Sequence, residues 1–225
     1  MGRVVDLAGG GRAYLAGPDQ GAGLGLLVIP EHPGLGPHIE DVCDRFASEG
    51  FTALAPDLSD GATSGEPDGK GTVVTTHDVE RGARELEAAV EHLEGSSSVR
   101  GEGMGVVGFG TGAGLTLVIA TERPHDIRAG VVFYGLVPSE WARPNWSRLQ
   151  APVQGHFAEH DRLLPPEEVR RLEATLGGMG KDVELFVYPD TAHAFFDDTR
   201  PDAYHPTAAG LAWTRTLEFL RAKLG

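Results

Sequence analysis

The sequence predicts one α/β domain: a mostly parallel central sheet with helices on both faces and a small N-terminal hairpin. Three observations carry this. Short β-branched apolar runs alternate with stretches whose apolar residues recur every three or four positions. The run Gly25–Pro30 is apolar throughout, as a strand covered on both faces requires. Finally, 225 residues with no internal repeat and no dividing linker fit a single core spanning 1–225.

The elements follow in order. Val4–Leu7 and Arg12–Leu15 can pair as an antiparallel hairpin around Gly9–Gly11. Gly25–Pro30 is a continuous apolar run and reads as a buried strand. His38–Gly50 places Ile39, Val42, Cys43 and Phe46 at helical spacing, and Phe51–Ala55 is the next strand. Ser59–Thr76 is rich in Gly, Ser and Asp and is expected to be a lid or mobile loop. Val79, Ala83, Leu86, Val90 and Leu93 then trace one helix face. Gly105–Phe109, Gly112–Thr121 and Gly130–Tyr134 read as strand, helix, strand. Pro152–Phe157 and Val183–Tyr188 are strands flanking a helix that starts at Pro165–Pro166, where proline suits the first turn. The last helix carries Ala208, Leu211, Ala212, Leu217, Leu220 and Leu224 on its apolar face.

Composition narrows the function classes. A formal charge of −14 without a basic run disfavours nucleic acid and anionic membrane, both of which need clustered Lys and Arg. The same charge is also what simple solubility requires. No apolar run reaches the roughly 18 residues that span a bilayer, and no secretion signal is evident. The lone Cys43 cannot form an internal disulfide and fits a reducing compartment, so a cytoplasmic location is expected. Cys43 lies on an apolar helix face and reads as core. No His, Cys and Asp spacing resembles a metal site, and no cofactor is expected.

The chemistry centres on Gly108-Phe109-Gly110-Thr111-Gly112, between a strand and a helix. A nucleophile flanked by glycines in that position forms a sharp strand-to-helix elbow, which exposes the central side chain. Here the central side chain is a hydrogen atom, and Gly110 cannot attack a substrate. Gly108, Gly110 and Ala113 also match a dinucleotide fingerprint, which needs an acidic residue at the end of the next strand. Phe133-Tyr134-Gly135-Leu136 supplies none and Glu122 comes too early, so nucleotide binding is disfavoured.

Two further pieces lie downstream. Asp161 follows Pro152–Phe157, and His193 follows Val183–Tyr188. The chain order elbow, acid, histidine is that of hydrolases in which Asp fixes the histidine tautomer and stabilises the imidazolium. A lone loop Asp is usually a turn former and a lone His usually structural. Their joint order and placement favour the catalytic reading.

Four segments together carry a more specific likeness: IPEHPGLGPHIEDVCDRFASEGFTALAPDL, VVGFGTGAG, HFAEHDRLLPPEEV and YPDTAHAFFDDTRPDAYHPTAAGLAWTRTLEFL. Over nearly its whole length the chain resembles the dienelactone hydrolase family of the α/β-hydrolase superfamily. The resemblance implies an α/β-hydrolase fold and a small-molecule ester, lactone or other carbonyl substrate. It also implies Asp161 and His193 as partners of a nucleophile at position 110, normally Cys or Ser. Glu31 would contact the nucleophile at rest, and the backbone N–H groups of His32 and Thr111 would form the oxyanion hole. Phe109, Tyr134, Trp141 and Phe195 are candidates to line an apolar pocket, although aromatic core filling explains them equally.

Two departures stand out. One is Gly110. The other is the absence of the family's arginine clamp for a carboxylate-bearing lactone: Asp197 stands four residues after His193, and Leu58–Glu80 contains no arginine, its one Lys or Arg being Lys70. Arg200 could serve only if its loop folds inward. Three readings remain open: a hydrolase silenced by substitution of its nucleophile; a nucleophile-free lyase, cyclase or isomerase using His193 and Asp161; or a catalytically dead small-molecule-binding module.

Overall fold

The computed structural model describes residues 1–31, 35–58, 76–135 and 144–225, with side chains from 82 onward in the helix that begins at Thr76. Thirteen regular elements appear among them besides one 3-10 turn at Trp146–Arg148. In chain order they are β1 (Arg3–Asp6), β2 (Arg12–Ala16), β3 (Gly23–Ile29), α1 (Pro37–Ser48), β4 (Phe51–Pro56), α2 (Thr76–Glu94) and β5 (Val99–Phe109). There follow α3 (Thr111–Glu122), β6 (Ile127–Phe133), β7 (Val153–His160), α4 (Pro166–Gly178), β8 (Val183–Ala192) and α5 (Pro206–Leu224).

The eight strands form one sheet in the order β1-β2-β4-β3-β5-β6-β7-β8. β1 and β2 pair antiparallel, as does β2 with β4, and all remaining pairs are parallel. The expected hairpin and the expected parallel sheet are both present. β3 shows why such strands read as unbroken apolar runs. Leu24, Leu26 and Val28 face one core with α1 and α5, while Leu27 and Ile29 face the other with α2, α3 and α4.

Several boundaries differ from the sequence expectation for local reasons. β5 begins at Val99 rather than near Gly105, because Arg100–Glu102 are exposed and polar and the register shifts at Met104/Gly105. Leu211 is 45% exposed because α5 buries the narrow row Ala208, Ala212, Thr216 and Leu220, four residues apart. Ala83 is likewise exposed, and Ala89 takes a buried place on α2. Pro165 is the N-cap of α4 and Pro166 its first residue, as the sequence suggested. Positions 59–75 of the expected loop lie outside the described residues, and Thr76 opens α2. Cys43 is buried in the α1 core, and burial pushes its thiol pKa up. No helix among the described residues is long and apolar enough to cross a membrane.

Candidate active site

The carboxyl ends of the parallel strands meet at one edge of the sheet, and the candidate residues collect there. β5 ends at Phe109 and α3 starts at Thr111, so Gly110 makes the whole turn. Its φ of 50° and ψ of −117° lie where side chains are rarely tolerated. Its N–H donates to the Phe133 carbonyl at 3.0 Å, and its carbonyl accepts the Ala113 N–H at 3.1 Å. The flanking glycines are steric necessities. A Cβ at Gly108 would collide with the Gly112 carbonyl and the Thr116 hydroxyl, and one at Gly112 with the carbonyls of Ile29 and Pro30.

Asp161 lies immediately beyond β7 and is 4% exposed. Its Oδ1 accepts the N–H groups of Leu163 at 2.8 Å and Leu164 at 3.2 Å. That leaves Oδ2 for His193 Nδ1, 2.7 Å away. Burial alone raises the Asp161 pKa, but the bond and charge of His193 and the two backbone N–H groups outweigh it and lower it. The aspartate is therefore an anion that fixes Nδ1 as a donor and turns Nε2 towards the elbow.

Glu31 completes the array from the end of β3. Its Oε1 is 3.5 Å from His193 Nε2, and its Oε2 is 3.7 Å from Arg200 Nη1. The first contact is a charged hydrogen bond at the long limit of the distance range. Burial tends to lower the His193 pKa, yet the hydrogen bonds and charges of Asp161 and Glu31 raise it to about 9. At neutral pH His193 is therefore an imidazolium beside the Asp161 anion.

The Glu31 carboxylate also has a steric relation to Gly110. A Cβ built on Gly110 would lie 2.6 Å from Glu31 Cδ, 2.7 Å from Oε1 and 2.8 Å from Cγ. The carboxylate sits where the side chain of an elbow residue would begin.

The structure thus brings Glu31, Gly110, Asp161 and His193 together, with Thr111 at the first position of α3. His32 and Trp141 lie outside the described residues. Tyr134 has its ring edge-on to His193 at 5.3 Å between centroids. Phe109 and Phe195, at 1% and 0% exposure, pack in the aromatic core with Phe133, Phe196 and Tyr188, and Tyr134 is buried there too at 2%. Strain gathers around the site, with positive φ at Tyr134 (36°) and at Ala194 (64°), which follows His193.

Two features had little signal in the sequence. Arg200 stays exposed but brings its guanidinium within 3.7 Å of Glu31. His156 on β7 is wholly buried, bonded to Tyr188 Oη at 2.8 Å, Gln154 at 3.1 Å and Thr216 at 3.1 Å. Burial and then the Arg215 charge lower its pKa to about 3, so it stays neutral. A histidine inside an apolar strand was the only hint of this network. Among the described residues, His38, Asp197 and Asp198 bring potential metal-ligand atoms within 4.8 Å of one another, as do Glu159, His160 and Asp190. The first group is already internally bonded: His38 Nδ1 contacts both aspartates, and Asp197 Oδ1 accepts the Thr199 N–H and hydroxyl.

Comparison with known proteins agrees with this architecture. The family model of the dienelactone hydrolase family matches residues 12–224. The chain is 33% identical to Protein usf of Aquifex pyrophilus over 233 residues, covering 100% of both. It is 30% identical to the "putative carboxymethylenebutenolidase" of Aquifex aeolicus, again covering 100% of both. A dienelactone hydrolase-like promiscuous phosphotriesterase from metagenomic libraries superposes with a TM-score of 0.87 at 23% identity, covering 100% of this chain and 99% of that one. At that identity the likeness speaks for the fold alone. With the family model spanning nearly every element from β2 to α5, the chain belongs to the dienelactone hydrolase family.

Proposed function

We propose that this protein hydrolyses a small-molecule carboxylic ester or lactone, with His193 and Asp161 moving protons and no side chain at Gly110 to act as nucleophile. The observation that supports this most is the 2.7 Å bond from His193 Nδ1 to the buried Asp161, which turns Nε2 towards the elbow. A dyad of that kind contributes roughly 10²–10⁴-fold, and each oxyanion-hole donor a further 10²–10³. The Thr111 N–H, at the start of α3, and the His32 N–H fill the oxyanion role in this reading. A relative named for a butenolide favours a lactone or an enol ester among the carbonyl substrates. Glu31 lies beside the dyad and Asp197 carries a further negative charge four residues beyond His193, so a neutral substrate suits the site better than a dianion.

Aryl-ester and lactone hydrolysis by the chain and by Gly110→Cys tests this. Turnover by the chain itself that His193→Ala abolishes supports the reading; turnover by Gly110→Cys alone would mean a site silenced by its glycine and, like inactivity of both on every ester and lactone, removes it. A second reading, an elimination or isomerisation on a carbonyl compound, draws support from the Glu31–His193 ion pair, which sets a base against an acid 3.5 Å apart. It requires turnover without release of an acid and alcohol pair.

A further inference from the structure

Resting on that hydrolytic reading, we propose that Glu31 is itself the covalent nucleophile, attacking the substrate acyl carbon from the place an elbow side chain would occupy. Gly110 is then not a loss but the condition for the mechanism. With a Cβ there, 2.6 Å from Cδ, the carboxylate could not take up this position. Glycine also relieves the turn at φ 50° of side-chain strain.

The surroundings suit a carboxylate nucleophile. Oε2 lies 3.7 Å from the half-exposed Arg200 guanidinium, and Oε1 faces His193 Nε2, the nitrogen that would serve a nucleophile on residue 110. The N-terminus of α3, at the same turn, places its positive dipole end beside the anion and beside any oxyanion that forms. Within the array the histidine begins as an imidazolium, with its pKa at about 9.

The steps balance. A Glu31 oxygen bonds to the acyl carbon, the bond from that carbon to the leaving oxygen breaks, and His193 Nε2 gives its proton to the departing alkoxide. The products are an alcohol and a mixed anhydride on Glu31. The now neutral His193 takes a proton from water, whose oxygen attacks the anhydride. The anhydride bond breaks, freeing the carboxylic acid and restoring both the Glu31 carboxylate and the imidazolium. No oxidant or further reactant is needed. A carboxylate is a weak nucleophile and an anhydride a high-energy acyl group, so the leaving group must itself be weakly basic. That selects aryl or enol esters, and lactones of enols, over simple alkyl esters.

The test is rapid-quench kinetics with p-nitrophenyl acetate. p-Nitrophenolate leaves without an acid, whereas anhydride hydrolysis needs the histidine as base. His193→Asn should therefore release about one equivalent of p-nitrophenol per chain in a burst and then slow at least ~10²-fold, within the range a general base supplies. The protein should gain the mass of one acetyl group, mapped to Glu31 and removed by hydroxylamine. His193→Asn combined with Glu31→Gln should show no burst, and Glu31→Asp combined with His193→Asn a smaller one. No burst in His193→Asn, a burst that survives Glu31→Gln, or acetyl mapped elsewhere each overturns the assignment. Steady-state turnover by the unaltered chain separates the two levels. If it hydrolyses the ester in a His193-dependent way while these results fail, the hydrolase reading stands and Glu31 is not the nucleophile; if it is inert, both fall.

Discussion

Substituting Gly110 by alanine probes the relation between the elbow and Glu31. An alanine at φ 50° and ψ −117° carries about 1–3 kcal/mol of backbone strain whatever surrounds it. Its Cβ also lands 2.6 Å from Glu31 Cδ, closer than carbon atoms pack. Since the obstructing atoms are the end of a flexible side chain, Glu31 can swing aside, forfeiting its contacts with His193 and Arg200. Those ion pairs are partly exposed, with Glu31 at 32% and Arg200 at 52% side-chain exposure, so solvent screening limits each to about 0–1 kcal/mol. In a Glu31→Ala background the strain remains but this second contribution vanishes. A double-mutant cycle should return a coupling of about 0.5–2 kcal/mol, the alanine at 110 being less damaging when Glu31 is truncated. At roughly 2–4 °C per kcal/mol for a chain of this length, a coupling near 1 kcal/mol separates the melting temperatures measurably. Purely additive substitutions would refute the placement of the carboxylate over Gly110.

Other substitutions and conditions give further checks. Asp161→Asn keeps a carbonyl oxygen for the Leu163 and Leu164 N–H groups but loses the charge-assisted bond to His193. It should cost about 1–3 kcal/mol by chemical denaturation and lower any esterase turnover roughly 10²–10⁴-fold; unchanged turnover would separate Asp161 from the chemistry. Stability should be greatest near neutrality because two histidines are linked to pH in opposite senses. His156, with a pKa of about 3 against 6.5 unfolded, withdraws stability as pH falls between those values. His193, at about 9, withdraws it as pH rises from 6.5 to 9. A tenfold change in proton affinity is worth about 1.4 kcal/mol at most, so His156→Gln should flatten the acid limb of a melting-temperature profile, and an unaltered limb would contradict its neutral burial. Cys43 should ignore a thiol reagent in the native protein and react only in denaturant, since it is fully buried with its thiol pKa raised.

Much of the fold was legible because burial on two faces writes unbroken apolar runs, and the β3 and β6 runs were placed to within a few residues. Asp161 and His193 were legible through their order after successive strands. The relation between Glu31 and Gly110 was not, because residues 79 positions apart share a volume only once β3 and β5 pair. Nothing local marks that carboxylate as the occupant of the elbow. Arg200 was equally hidden, since the turn after Phe196 decides which way its side chain points. Phe109 and Phe195 show the converse: an aromatic beside a catalytic position reads alike whether it lines a pocket or fills a core, and only burial separates the two.

The array of Glu31, His193 and Asp161 can be examined without a substrate by following the His193 imidazole nitrogens by NMR through a pH titration. With both carboxylates in place, both nitrogens should be protonated at neutral pH and titrate near 9, and Glu31→Gln should move that midpoint down. An imidazole neutral at pH 7.5, with a midpoint near the ordinary value of about 6.5 that Glu31→Gln leaves unmoved, would show that Glu31 does not stand against His193 in the nucleophile's place.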